Sequence, residues 1–272
     1  MKKIALISAL STLLFSFILF TYFSASRDIT KELKTIPQKA IIIGASSGIG
    51  EATARELAKR GYIVGLTARR YWLLEAIKKD IKTACFIEKM DVSKPEEAQA
   101  LLKNLITKMD GVDIIILCAG TGNCCMSWEK QKEIIDVNIV GFTALATTAT
   151  DYFMSKNSGH LVGLSSIVGL RPFADSTVYS ASKAYISFYL NGLREKLKRL
   201  DKDITVTEIQ PGLVNTMMGR CSDFWKATPE KAAVQICDAI EQKKEHAYIT
   251  KRWRLIAWIF KLLPDWLFYK IL

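Results

Sequence analysis

Three residues have the types and spacing to move a proton at an oxygen atom: Ser166, Tyr179 and Lys183. Tyr179 and Lys183 stand four apart at the start of a helical stretch, so their side chains share one face. A phenol with an unperturbed pKa of about 10 is a poor acid or base near neutrality. A lysine cation beside it favours the tyrosinate and brings the group into the range of general acid–base work. Ser166 precedes the tyrosine by thirteen residues and can donate a hydrogen bond to a reacting oxygen. A tyrosine and a lysine four apart recur by chance. Joined to a serine pair, Ser165-Ser166, and to a glycine-rich turn upstream, they form a specific combination.

That turn is Gly44-Ala45-Ser46-Ser47-Gly48-Ile49-Gly50, between a predicted strand and a predicted helix. Glycines let the backbone bend tightly and approach a pyrophosphate, while the helix N-terminus offers unpaired N–H donors. The next strand ends in Thr67-Ala68-Arg69-Arg70. An acid at that place would bond a ribose 2′-hydroxyl, whereas a 2′-phosphate calls for an arginine. Arg69 and Arg70, with no acid beside them, point to NADP(H) over NAD(H). Asp91-Val92 follows the third strand and is placed to meet the adenine.

Positioning these groups requires a regular scaffold, and the chain has the pattern for one. Strands are predicted over Lys39–Ile43, Tyr62–Leu66, Ala84–Met90, Val112–Cys118, His160–Leu164, Ile204–Ile209 and Ala247–Thr250. Helices are predicted over Glu51–Arg60, Tyr71–Asp80, Lys94–Met109, Glu129–Lys156 and Tyr179–Leu200. Strands alternating with helices of this length imply an α/β fold, a Rossmann-like doubly wound parallel sheet with helices on both faces. Residues 36–250 form this domain, 1–35 a leading hydrophobic segment, and 251–272 an apolar C-terminal segment.

Both ends suggest a lipid partner. Ile4 to Phe23 carries no charge and as a helix would cover about 30 Å, a bilayer core. The reading favours an uncleaved N-terminal helix anchor; a cleaved signal peptide ending near Ser24-Ala25-Ser26 is the rival. Counting basic residues around the span directs the catalytic domain to the cytoplasm, so the chain is expected to be membrane-associated. Trp253 to Leu272 suits a helix on anionic lipid, with Pro264 kinking or dividing it. The other reading is a helix packed over a substrate pocket, or against a second copy in a homo-oligomer.

The net charge of +11 calls for an anionic partner. No zinc-finger spacing, arginine-rich tract or aromatic-basic RNA motif is present, which argues against nucleic acid. The six cysteines show no metal-ligand spacing and the two histidines stand far apart, so no metal site is expected. Reduced thiols are the simplest reading. Cys124-Cys125 is read as apolar lining near substrate rather than as a redox pair.

In order and spacing, the glycine turn, Asp91-Val92, Cys118-Ala119-Gly120, Asn138, Ser165-Ser166, Tyr179 to Lys183 and Pro211 to Thr216 resemble the short-chain dehydrogenase/reductase family. The resemblance spans roughly residues 38 to 250 and implies a seven-stranded sheet and NADP(H)-dependent interconversion of a carbonyl and an alcohol. It implies Tyr179 as general acid/base, Ser166 as stabiliser of the substrate oxygen, and Lys183 as a ligand of the nicotinamide ribose that lowers the tyrosine pKa. Asn138 would hold a water in a proton relay. Ala119, Gly120, Pro211, Gly212, Val214 and Thr216 join the cofactor wall, with Val214 and Thr216 near the carboxamide. Two departures stand out: Ile43 replaces a usual threonine, and Leu117-Cys118 replaces an Asn-Asn pair. The apolar ends suggest a hydrophobic ketone or aldehyde as substrate. The alternative is a catalytically silent NADP-binding sensor or scaffold at a membrane, whose mark would be loss of the serine, tyrosine or lysine.

Overall fold

Lys39 to Ile43 forms β1 (Lys39–Ile43), the strand on which the sheet is built. Ala40 and Ile42 enter one core, Ile41 and Ile43 the other, and none is more than 1% exposed. A strand covered on both faces needs such an unbroken apolar run. The computed structural model describes residues 37–122, 127–216 and 225–271. Within them β1 is joined by β2 (Ile63–Ala68), β3 (Cys85–Lys89), β4 (Ile114–Leu117), β5 (Ser158–Leu164), β6 (Asp203–Pro211) and β7 (His246–Ile249). The seven strands lie in the order β3-β2-β1-β4-β5-β6-β7, with every pair parallel.

Helices cover both faces, as the strand–helix alternation requires. Leu57 and Ala54 of α1 (Gly48–Lys59), Leu74 and Ile77 of α2 (Tyr71–Asp80), and Ile236 of a later helix pack on one face. Leu102 and Leu105 of α3 (Pro95–Lys108) pack on the other. The chain runs outward from β1 to β2 in one direction and from β4 to β5 in the other. A crevice therefore opens at the carboxyl ends of β1 and β4, the place where such sheets bind ligands.

Two segments differ from the sequence-based expectation. The single helix expected from Glu129 to Lys156 is α4 (Trp128–Ile135), a π-helical turn (Asp136–Gly141) and α5 (Phe142–Lys156). A π turn holds one residue more than an α turn. Here it accompanies a close approach: a Cβ on Gly141 would lie 2.2 Å from the Val92 carbonyl oxygen. After α6 (Thr177–Arg199) and β6 comes the unforeseen α7 (Pro229–Glu241). Its start signal was present in the sequence. Thr228 caps it, accepting from Lys231 N at 3.2 Å, and Pro229 opens its first turn.

The expected membrane association must be corrected. The expected anchor, residues 4–23, lies outside the described residues. Among the described residues no helix is long and apolar enough to cross a membrane. The C-terminal segment is two short helices, α8 (Trp253–Leu262) and α9 (Asp265–Ile271), separated at Pro264. Of its apolar residues, Trp253 and Ala257 are buried against Ile167, with Val168, Leu213 and Phe260 around them, whereas Leu255, Trp258, Ile259, Leu262 and Trp266 are exposed. The membrane association and the cytoplasmic orientation expected from an anchor therefore find no support among the described residues.

Candidate active site

The glycine turn owes its shape to close contacts. Gly44 adopts a φ of +93°, and a Cβ there would sit 2.6 Å from Ala119 Cα. A Cβ on Gly50 would lie 2.2 Å from the Gly44 carbonyl oxygen. The loops after β1 and β4 meet closely because Gly44 has no side chain, and the lack of one at Gly50 lets the turn close on itself. Thr67 O accepts from both Gly44 N and Ala45 N, at 2.9 and 3.0 Å, and ties the turn to β2.

Ser47 takes the N-cap position of α1 with extended backbone, yet its hydroxyl does not cap the helix. It accepts instead from Arg70 Nη2 at 2.6 Å, and Ser46 Oγ accepts from the same nitrogen at 3.0 Å. The first N–H groups of a helix have no partner within the helix. A glycine cradle that any side chain would fill, a helix start not capped by its own serine, and a guanidinium beside it together fit a dinucleotide phosphate. Arg69 lines the same cavity and also a smaller hollow with Trp128, Lys132 and Asp136.

The cavity holds ≈ 860 Å³. Its walls include Gly44, Ser46, Ser47, Gly48, Ile49 and Gly50 from the turn, Arg69 and Arg70 after β2, and Val92 after β3. Ala119 and Gly120 follow β4, and Pro211, Gly212, Val214 and Thr216 come from the end of β6 and beyond. Ser166, Tyr179 and Lys183 stand in the same wall. Two expected residues do not line it. Asp91 Oδ1 accepts from Ser93 N at 3.1 Å and Ser93 Oγ at 2.8 Å, so its carboxylate secures the local turn. Asn138 is fully buried in the π-helical turn. Its Oδ1 accepts from Thr121 N at 2.9 Å, and its Nδ2 donates to Thr121 O at 2.9 Å and Ser182 Oγ at 3.0 Å. Asn138 thus clips the loop after β4 to α6, one residue from Lys183.

The sequence assigned no role to Ile167, Val168 and Leu213, all of which reach the cavity. Ile167 and Leu213 adjoin chosen residues and Val168 stands two after Ser166, so nearness in sequence was the available signal. Cys124-Cys125 falls outside the described residues. Cys85, Cys118 and Cys237 are free thiols.

Ser166 Oγ donates to the Pro211 carbonyl at 3.4 Å and accepts from Val168 N at 3.4 Å, and Lys183 Nζ lies 5.7 Å from the Tyr179 ring centroid. Lys183 Nζ also donates to the Leu164 carbonyl at 3.0 Å, which fixes it in the wall. Burial pushes Tyr179 up to about 12, and the Ser166 hydroxyl acts in the opposite sense. Desolvation sets the direction of that shift in the chain alone. Burial also pushes Lys183 down to about 8, with the Cys118 thiol acting in the opposite sense. The arrangement offers a neutral phenol as proton donor, a serine hydroxyl beside it, and a lysine whose charge changes near neutrality.

The short chain dehydrogenase family model matches residues 38–226, which hold the glycine turn and all three of these residues. This chain belongs to the short-chain dehydrogenase/reductase family. As a short-chain dehydrogenase/reductase it is an oxidoreductase. It is 31% identical over 243 residues to an uncharacterized oxidoreductase of Myxococcus xanthus, covering 84% of this chain and 94% of that one. An alcohol dehydrogenase of the archaeon Thermococcus sibiricus, solved in complex with 5-hydroxy-NADP, superposes with a TM-score of 0.70 at 26% identity. That match covers 78% of this chain and 96% of the archaeal one. A short-chain dehydrogenase/reductase of Burkholderia phymatum, solved with NAD, shares the fold at a TM-score of 0.75 and 17% identity, over 82% of this chain and 92% of that one.

Proposed function

We propose that this short-chain dehydrogenase/reductase is an NADP(H)-dependent carbonyl reductase acting on a hydrophobic ketone or aldehyde. The single observation that carries the reading is one cavity walled by Ser166, Tyr179 and Lys183 and by the glycine turn with Arg70 on its serines. When bound, the nicotinamide supplies the hydride. The chain supplies the rest. Ser166 orients the carbonyl oxygen by hydrogen bonding, and Tyr179 donates the proton that the oxygen needs as it becomes an alcohol. Lys183 offers positive charge to the phenolate left behind, and Asn138 holds the loop and helix that carry it.

Preference for NADP(H) is supported by two guanidinium groups after β2 and no acid there. It is also supported by likeness to the archaeal alcohol dehydrogenase solved with 5-hydroxy-NADP. A hydrophobic substrate is supported by Ile167, Val168 and Leu213, which line the cavity near Ser166 and pack under Trp253. The test is NADPH consumption, read by absorbance, across aliphatic, aromatic and polycyclic ketones and aldehydes. Turnover of at least one carbonyl, cut by about 10²-fold or more in Tyr179→Phe, is expected. Turnover that this change leaves undiminished would remove the assigned proton donor, and NADH used as well as NADPH would remove the cofactor preference.

A further inference from the structure

Strands β5 to β7 carry a run of polar side chains through an otherwise apolar sheet. Glu208 and Gln210 stand two apart on β6, hence on one face, and are 2% and 1% exposed. Burying such groups costs free energy unless their atoms find partners. Ser165 Oγ donates to Glu208 Oε1 at 2.5 Å, and Gln210 Nε2 donates to the Ser166 carbonyl at 3.1 Å. On β7 the residue in register with Glu208 is His246. Its Nε2 sits 3.0 Å from Gln210 Oε1 and 3.9 Å from Glu208 Oε2. The run begins at two serines of the cavity wall and ends on a histidine whose side chain is 33% exposed.

Hydrogen-bond valence assigns the hydrogens. The Ser166 carbonyl only accepts, so Gln210 turns its NH2 group to it and its Oε1 to the imidazole. That oxygen also only accepts, so His246 Nε2 carries the hydrogen. A second proton on the ring changes its preference: an imidazolium is drawn to the carboxylate of Glu208, which the neutral ring has no charge to attract. Drawn towards Glu208 Oε2, it leaves Gln210 Oε1 without its partner. The groups facing the ring are Glu208 from β6, Arg194 from α6, Lys261 from α8 and the Tyr248 ring, 4.4 Å away. Burial holds the imidazole below its ordinary range, Glu208 pulls it up, and Lys261 and Arg194 push it down.

We propose that Glu208, Gln210 and His246 are positioning residues, a brace that sets the backbone of Ser166 and slackens when His246 takes up a proton. The proposal rests on the reading of Ser166 as the residue that orients the carbonyl oxygen. The first experiment measures kcat of the full chain with NADPH and a carbonyl that it reduces, between about pH 5 and pH 8. Wild type should lose about 5-fold or more towards acid, the worth of one net hydrogen bond. His246→Gln keeps a donor for Gln210 but cannot charge, so its loss should stay under about 2-fold. The same acid loss in both chains overturns the brace.

A second measurement needs no turnover. In the cofactor-free chain, NMR should show the Ser166 amide resonance moving in step with the His246 imidazole as pH falls. Glu208→Gln removes the group that raises His246, so the shared midpoint should move to lower pH. A Ser166 amide that stays still while the ring titrates overturns the proposal. A chain that reduces no carbonyl at any pH counts against the proposed function instead, and the titration still decides the brace.

Discussion

A phenol that burial holds near 12 keeps its proton at any physiological pH, so in the chain alone it stands as the protonated partner. Removing the proton with Tyr179→Phe should cost about 10²- to 10⁴-fold in kcat while the NADPH dissociation constant changes little; stopped-flow turnover and fluorescence titration check both. Lys183, held near 8, is charged below that pH and neutral above it. The rate of reduction should therefore fall as pH rises through about 8, well before an ordinary lysine titrates, and a kcat profile unchanged up to about pH 10 would refute this. The arginines separate in the same way. Arg69→Ala should weaken NADPH by about 10-fold or more and NADH hardly at all, measured as paired Kd values. Arg70→Ala should weaken both, since Arg70 also braces Ser46 and Ser47.

Elements decide how the substrate side is closed. Arg171, in the loop after β5, donates through Nε to the Phe260 carbonyl at 2.8 Å. Its other nitrogens reach the Leu263 carbonyl and Asp265, and its guanidinium lies over Phe268. One side chain thus holds the junction of α8 and α9 against the loop that carries Ile167 and Val168. Arg171→Ala should raise KM for a hydrophobic carbonyl by about 3- to 10-fold and leave the NADPH Kd within about 2-fold. Equal losses in both would mean that the junction supports the whole cavity rather than its substrate side. Pro264 made the division of this segment legible beforehand. The break between α4 and α5 was not legible, because it answers to the Val92 carbonyl, which is remote in sequence from Gly141.

At the scale of the whole molecule, two apolar cores flank one parallel sheet, and a buried histidine adds a pH dependence to its stability. His160 on β5 bonds Thr207 Oγ1 at 2.7 Å, and burial, with Lys243 nearby, pushes it down to about 4. An unfolded histidine titrates near 6.5. Between those values the unfolded chain binds a proton that the folded chain refuses, so stability falls as pH drops from about 6.5 towards 4 and is unaffected above. The loss attributable to this group should approach about 3 kcal/mol. Urea midpoints across that range should show it, and His160→Gln should flatten the slope. An equal slope in both chains would place the acid sensitivity elsewhere.

Much of this molecule was already written in local sequence. The apolar run of β1, the three glycines and the spacing of Ser166, Tyr179 and Lys183 carry their meaning within short stretches, because strand burial, turn strain and helical periodicity are short-range physics. The carboxylate of Asp91 turning to Ser93, the upward shift of Tyr179 and the run from Ser166 through Gln210 to His246 could not be read that way. Burial and hydrogen-bond partnership arise only when strands far apart in the chain are set side by side. Those long-range neighbours determine whether an ionisable group is charged and what it holds in place.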